Sequence, residues 1–108
     1  MKLLIAIVQD DDVDFLTDAL MDEGFRITKL ATTGGFLKKG NTTLLLGIED
    51  EKLDDVLGII EENCKKRTTQ SQIISPTSET SIFQTIPVEI EVGGATVFVV
   101  DVEKYFKI

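Results

Sequence analysis

The 108-residue chain contains no histidine and no tryptophan, and only one cysteine, one tyrosine and two prolines. Without histidine it lacks the commonest general base near neutral pH and the commonest ligand for transition metals. That counts against an enzyme and against a metal centre. The single thiol, Cys64, excludes an intramolecular disulfide and suits a reducing compartment. Long hydrophobic runs are missing as well. The apolar run at 3–8 is too short for a secretory core or a membrane span, so a cytoplasmic protein without membrane insertion is expected. Positive charge is scarce: 11 Lys and Arg against 19 Asp and Glu give a net charge of -8. Most of such a surface repels phosphate backbones, which opposes binding to a nucleic-acid polymer.

What is present reads as one domain, 1–108, with 43% apolar and 28% charged residues, a composition that folds around a single core. Residues 2–8 (KLLIAIV) form a continuous apolar run, the pattern of a strand buried on both faces. Val13, Leu16, Ala19 and Leu20 then recur with helical spacing up to a stop at Gly24. Asp10, Asp11, Asp12 and Asp14 stand at the start of that helix, where carboxylates cap amides and suit the positive end of the dipole. Residues 25–31 alternate as a half-buried strand with Arg26, Thr28 and Leu30 on one face, and 44–48 read as a second apolar strand. Leu53, Val56, Leu57, Ile60 and Cys64 mark an amphipathic helix.

Ser, Thr and Gln make up 12 of the 18 residues in 68–85, so 66–87 read as a long flexible loop. Two strand runs flank Gly93 and Gly94, which form a hairpin turn or a bulge. The order is that of an α+β, ferredoxin-like fold (βαββαβ) with an extra C-terminal strand. Its helices cover one sheet face only. Strands apolar on both faces then call for a second copy of the chain over the other, a homo-oligomer.

Several candidate motifs fail on spacing. An EF-hand loop starting at Asp10 needs Gly and Glu where Phe15 and Met21 stand. Residues 35–42 (GFLKKGNT) approximate a P-loop, but Asn41 occupies the lysine position and a strand follows where a helix is required. Cys64 lies on an apolar helix stripe with no histidine to activate it. The stretch 24–44 survives: it holds Arg26, Lys29, Lys38 and Lys39 and no acid, directly after seven acids and no base in 10–23. Within it, 32–41 is a short glycine-rich loop. Gly34 and Gly35 allow close approach of an anion, and Thr28, Thr32 and Thr33 supply hydroxyls. Phe36 can stack on a base, and Asn41 can read an adenine edge. These features describe a nucleotide pocket; a hairpin whose lysines keep a strand edge soluble fits the same residues.

The segments IAIVQD, RITKLATTGGFLKKGNTT and VEIEVGGATVFV, in this order, resemble the PII-like cyclic di-AMP receptors of Gram-positive bacteria (the PstA or DarA type) over essentially the whole chain. The resemblance implies a non-enzymatic, trimeric signalling protein, without cofactor, that binds cyclic di-AMP between subunits and relays it to an unnamed protein target. Carried over, its ligand contacts fall on Arg26, Thr28, Gly35, Phe36, Leu37, Asn41 and Gly47, joined by Gly93 and Gly94 from the same or a neighbouring subunit. Phe36 and Leu37 would sandwich an adenine that Asn41 reads, and the Gly35–Leu37 backbone with Thr28 would hold phosphate. Lys38 and Lys39 become supporting electrostatics. True PII proteins carry a long, tyrosine-bearing loop between the second and third strands. Here that connection is short and the only tyrosine is Tyr105, which argues against ATP and 2-oxoglutarate sensing.

Overall fold

The computed structural model describes residues 1–30, 40–76 and 83–108, with 69–76 and 83–88 described by backbone alone. Its elements are β1 (Lys2–Gln9), α1 (Asp10–Asp22), β2 (Thr28–Leu30), β3 (Asn41–Ile48), a 3-10 turn (Asp50–Lys52), α2 (Leu53–Cys64), β4 (Arg67–Pro76), β5 (Phe83–Val92) and β6 (Ala95–Asp101). Four strands form one antiparallel sheet in the order β2-β3-β1-β6. With both helices on one face, this is the ferredoxin-like arrangement.

Alternation on the two central strands sets the layers. Leu4, Ala6 and Val8 of β1 and Leu44, Leu46 and Ile48 of β3 are buried on the helix side. They meet Val13, Leu16 and Leu20 of α1 and Val56, Ile60 and Cys64 of α2. Removing each large side chain from water stabilises the fold by about 1.5–3 kcal/mol. Helix α1 stops as its sequence suggests. Gly24 adopts φ +87°, its N–H bonds to the Met21 carbonyl, and Phe25 N–H reaches back to Leu20, a Schellman closure that needs a left-handed residue.

The opposite sheet face carries no helix among the described residues. Register places Leu3 beside Val100, Ile5 beside Phe98 and Ile7 beside Thr96, with Leu45, Gly47, Thr28 and Leu30 alongside. Phe98 is 53% exposed, Val100 46% and Leu30 41%, so the apolar character read on both sides of the central strands leaves one side open.

Three expectations need correction. Among the described residues no side chain caps α1; the Asp10 carboxylate instead accepts a hydrogen bond from the Thr42 hydroxyl. Strand β2, expected over 25–31, covers Thr28–Leu30 among the described residues, and Phe25 to Ile27 do not pair with β3. The segment 66–87, expected as an irregular loop, contains strand β4 and the first half of β5, which pair over ten register positions from Arg67–Val92 to Pro76–Phe83. β5 therefore belongs to this separate ribbon, and the four-stranded sheet gains no extra strand from it. Residues 86–92 alternate apolar and polar and read as a strand, whereas Thr, Ser and Gln in 68–75 carry no such alternation, so that half of the ribbon is not announced. Pro87 is tolerated because each strand of a two-stranded ribbon keeps one unpaired edge.

Candidate ligand site

Six of the nine expected ligand residues lie in the described parts, and the fold divides them into two groups. Gly35, Phe36 and Leu37, with neighbouring Thr32, Thr33, Lys38 and Lys39, lie outside the described residues. Arg26, Thr28 and Gly47 come together around a cavity of about 520 Å³, with Leu3, Leu45 and Tyr105. Asn41, Gly93 and Gly94 line another of about 310 Å³ with Gln9, Lys66 and Thr96. Both open on the helix-free face of the sheet, at opposite ends of β3. Asn41 and Gly47 are six residues apart on that strand, a span of about 20 Å.

At the first cavity, a guanidinium, a hydroxyl and an aromatic ring surround an apolar floor, a combination that suits an anion bearing a ring system. Gly47 is exposed, and nothing lies within 4 Å of where its Cβ would be, so its smallness keeps the floor open rather than relieving a clash. The C-terminal segment is held here by the bond from Val102 N–H to the Met1 carbonyl, 3.2 Å, which brings Tyr105 to the cavity wall. The neighbouring Lys2–Asp101 ion pair raises the Lys2 pKa and lowers that of Asp101, chiefly through their hydrogen bond.

The second cavity is built at the root of the ribbon. Gly93 and Gly94 have φ +87° and +91°, and a Cβ on Gly93 would lie 2.6 Å from the Lys65 carbonyl and 2.7 Å from Arg67 Nη1. Glycine is needed there for both conformation and space. Both N–H groups are already engaged: Gly93 donates to Gln9 Oε1 at 2.7 Å, and Gly94 to the Cys64 carbonyl. These glycines therefore offer a ligand close approach, not free amide donors.

Behind them Arg67 Nη2 donates to Asp12 Oδ1 at 2.7 Å. Asp12 is buried, and its Oδ2 finds no partner among the described residues. The Asp12 hydrogen bond raises the Arg67 pKa. Burial, then the Asp12 charge, push the Cys64 thiol up to about 11, so it stays protonated and unreactive at neutral pH. Among the described residues no group of carboxylates and thiols is arranged to hold a metal ion.

Gln9, Lys66, Thr96 and Tyr105 join the two cavities without having been singled out in the sequence. For Gln9 and Thr96 the signal is strand register, since Gln9 pairs with Asn41 and Thr96 with Ile7. Lys66 and Tyr105 depend on how the ribbon root and the C-terminal segment fold back, which no local pattern encodes.

Sheet order and one-sided helices define a small PII-like α+β domain. Residues 1–108 match the family model of the cyclic-di-AMP receptor, and the chain belongs to that family. It is also similar to the nitrogen fixation nifHD region GlnB-like protein 1 of Methanothermococcus thermolithotrophicus, with 34% identity over 58% of this chain and 72% of the relative. Among solved structures it resembles a functionally unknown protein from Pediococcus pentosaceus ATCC 25745, with 42% identity, a TM-score of 0.74, and 99% of this chain and 96% of that one covered. No helix among the described residues is long and apolar enough to cross a membrane.

Proposed function

We propose that the protein is a cyclic di-AMP receptor that binds the dinucleotide between subunits of a homotrimer and relays occupancy through its ribbon and loop to a protein target. Membership of the receptor family supports the ligand class. One observation supports the shared site: Arg26, Thr28 and Gly47 lie at one end of the open sheet face, and Asn41, Gly93 and Gly94 at the other. A compact ligand cannot touch both groups in one protomer, but it can where opposite ends of two copies meet. The same packing covers Phe98 and Val100, whose exposure is otherwise unfavourable. In this reading Phe36 and Leu37 hold an adenine, Asn41 reads its edge, and Arg26 and Thr28 meet phosphate. The protein works by binding, in the cytoplasm, without a cofactor.

The test is calorimetric titration with cyclic di-AMP, cyclic di-GMP and ATP. Micromolar or tighter binding of cyclic di-AMP, stronger than that of the other two, is expected. Absence of heat, or no preference over ATP, would sink the proposal and favour a PII-like regulator that takes another adenine nucleotide or acts by protein contacts alone. Losing base stacking costs about 1–3 kcal/mol per base, so Phe36→Ala should weaken binding tenfold or more while the assembly persists.

A further inference from the structure

Gln9 is bound up with the ligand site in a way its own sequence context does not reveal. It is the last residue of β1, in register opposite Asn41 on β3. Both side chains line the cavity of about 310 Å³ at the ribbon root, with Lys66, Thr96 and the two glycines. The Gly93 N–H donates to the Gln9 side chain at 2.7 Å. An N–H can be accepted only by the carboxamide oxygen, so the orientation of the amide is determined: Oε1 faces Gly93 and the NH2 group is turned from it. Among the described residues that NH2 group donates no hydrogen bond. One planar side chain thus has its acceptor committed to the root of the ribbon and, among the described residues, its two donors unused beside Asn41.

Gly93 is also the point where β5 of the ribbon hands over to β6 of the main sheet. The contact therefore joins three places: the end of β1, the strand bearing Asn41, and the joint of the 26-residue segment spanning Arg67–Val92. A ligand that draws on the Gln9 donors fixes the plane of the carboxamide. That plane in turn fixes the direction of the bond to Gly93.

Resting on the receptor reading above, we propose that Gln9 is a ligand-recognition residue, donating through its NH2 group to an acceptor on the cyclic dinucleotide while its oxygen tethers the ribbon root through Gly93. The acceptor is a ring nitrogen or a phosphate oxygen. The proposal adds to the site a residue that couples occupancy to the ribbon.

Two variants separate the halves. Gln9→Glu keeps an acceptor for Gly93 but removes the donors; Gln9→Met keeps the length and removes both. Amide exchange at Gly93, measured by NMR on the ligand-free protein, should stay slow in Gln9→Glu and quicken at least tenfold in Gln9→Met. Calorimetry with cyclic di-AMP should show at least tenfold weaker binding for both variants. Gln9→Met adds no charge, so its loss of affinity cannot arise from repulsion between a carboxylate and the ligand. Binding by either variant within twofold of the unsubstituted protein overturns the donor role. Unchanged Gly93 exchange in Gln9→Met overturns the tether. If the unsubstituted protein gives no heat with cyclic di-AMP, the receptor reading fails and takes the donor role with it, while the exchange experiment still decides the tether on its own.

Discussion

Glycine does two different jobs at the two ends of the open sheet face, and substitution separates them. Gly93→Ala places a Cβ on backbone at φ +87° and against the Lys65 carbonyl, a strain of about 1–3 kcal/mol that should lower the melting temperature measurably. Gly47→Ala meets nothing within 4 Å and should leave the melting temperature almost unchanged while narrowing the Arg26 cavity. Equal melting temperatures for the two variants would contradict this division.

Cys64 offers a third residue-level test. Its pKa of about 11 lies above the ordinary thiol value, so the unfolded chain loses this proton at lower pH than the native one. The contribution to stability is complete below about pH 9 and fades as pH rises toward 11. A disulfide reagent such as DTNB should react at pH 8 only as fast as the protein opens, and a burst of rapid labelling would contradict the buried, protonated thiol. Asn41 was legible as a candidate from its own chemistry, whereas Gly47 and the Gly93–Gly94 pair became candidates only through the family resemblance. Gln9 was not legible, because its partner is 84 residues away and only register brings the two together.

At the scale of elements, the ribbon depends on its root. Asp12 sits in the first turn of α1, is buried, and has one partner of opposite charge among the described residues, Arg67 at the start of β4. Removing the cation strands a buried carboxylate, whereas removing both charges does not. Arg67→Ala should therefore lower the melting temperature more than the Asp12→Asn, Arg67→Ala double substitution does. Strictly additive effects would show that the pair is not coupled.

The two helices and the buried sides of β1 and β3 were legible from apolar spacing, because each must hide one face. Only the later half of the ribbon was: Ile86, Val88, Ile90 and Val92 alternate with polar residues or proline in β5, while Thr, Ser and Gln in 68–75 of β4 carry no such pattern. The unpaired start of the 25–31 run, Phe25 to Ile27, escaped for a related reason, since alternation reports which way side chains point but not how far hydrogen-bonded pairing extends.

For the whole molecule, the proposed account is that copies of the chain meet through the open sheet face and each ligand is held by two of them. An assembly of three has three times the 11.9 kDa mass of one chain, which light scattering resolves, and a monomer at micromolar concentration would contradict the account. A shared site also makes a prediction that a site within one protomer does not. Arg26→Ala damages one end of the face and Asn41→Ala the other, and each variant alone should bind cyclic di-AMP at least tenfold more weakly. In trimers refolded from an equal mixture of the two, about a quarter of the sites join an intact Arg26 end to an intact Asn41 end. The most direct measurement is calorimetric titration of that mixture. The account predicts the return of a high-affinity class amounting to about one quarter of the sites, and weak binding throughout would contradict it.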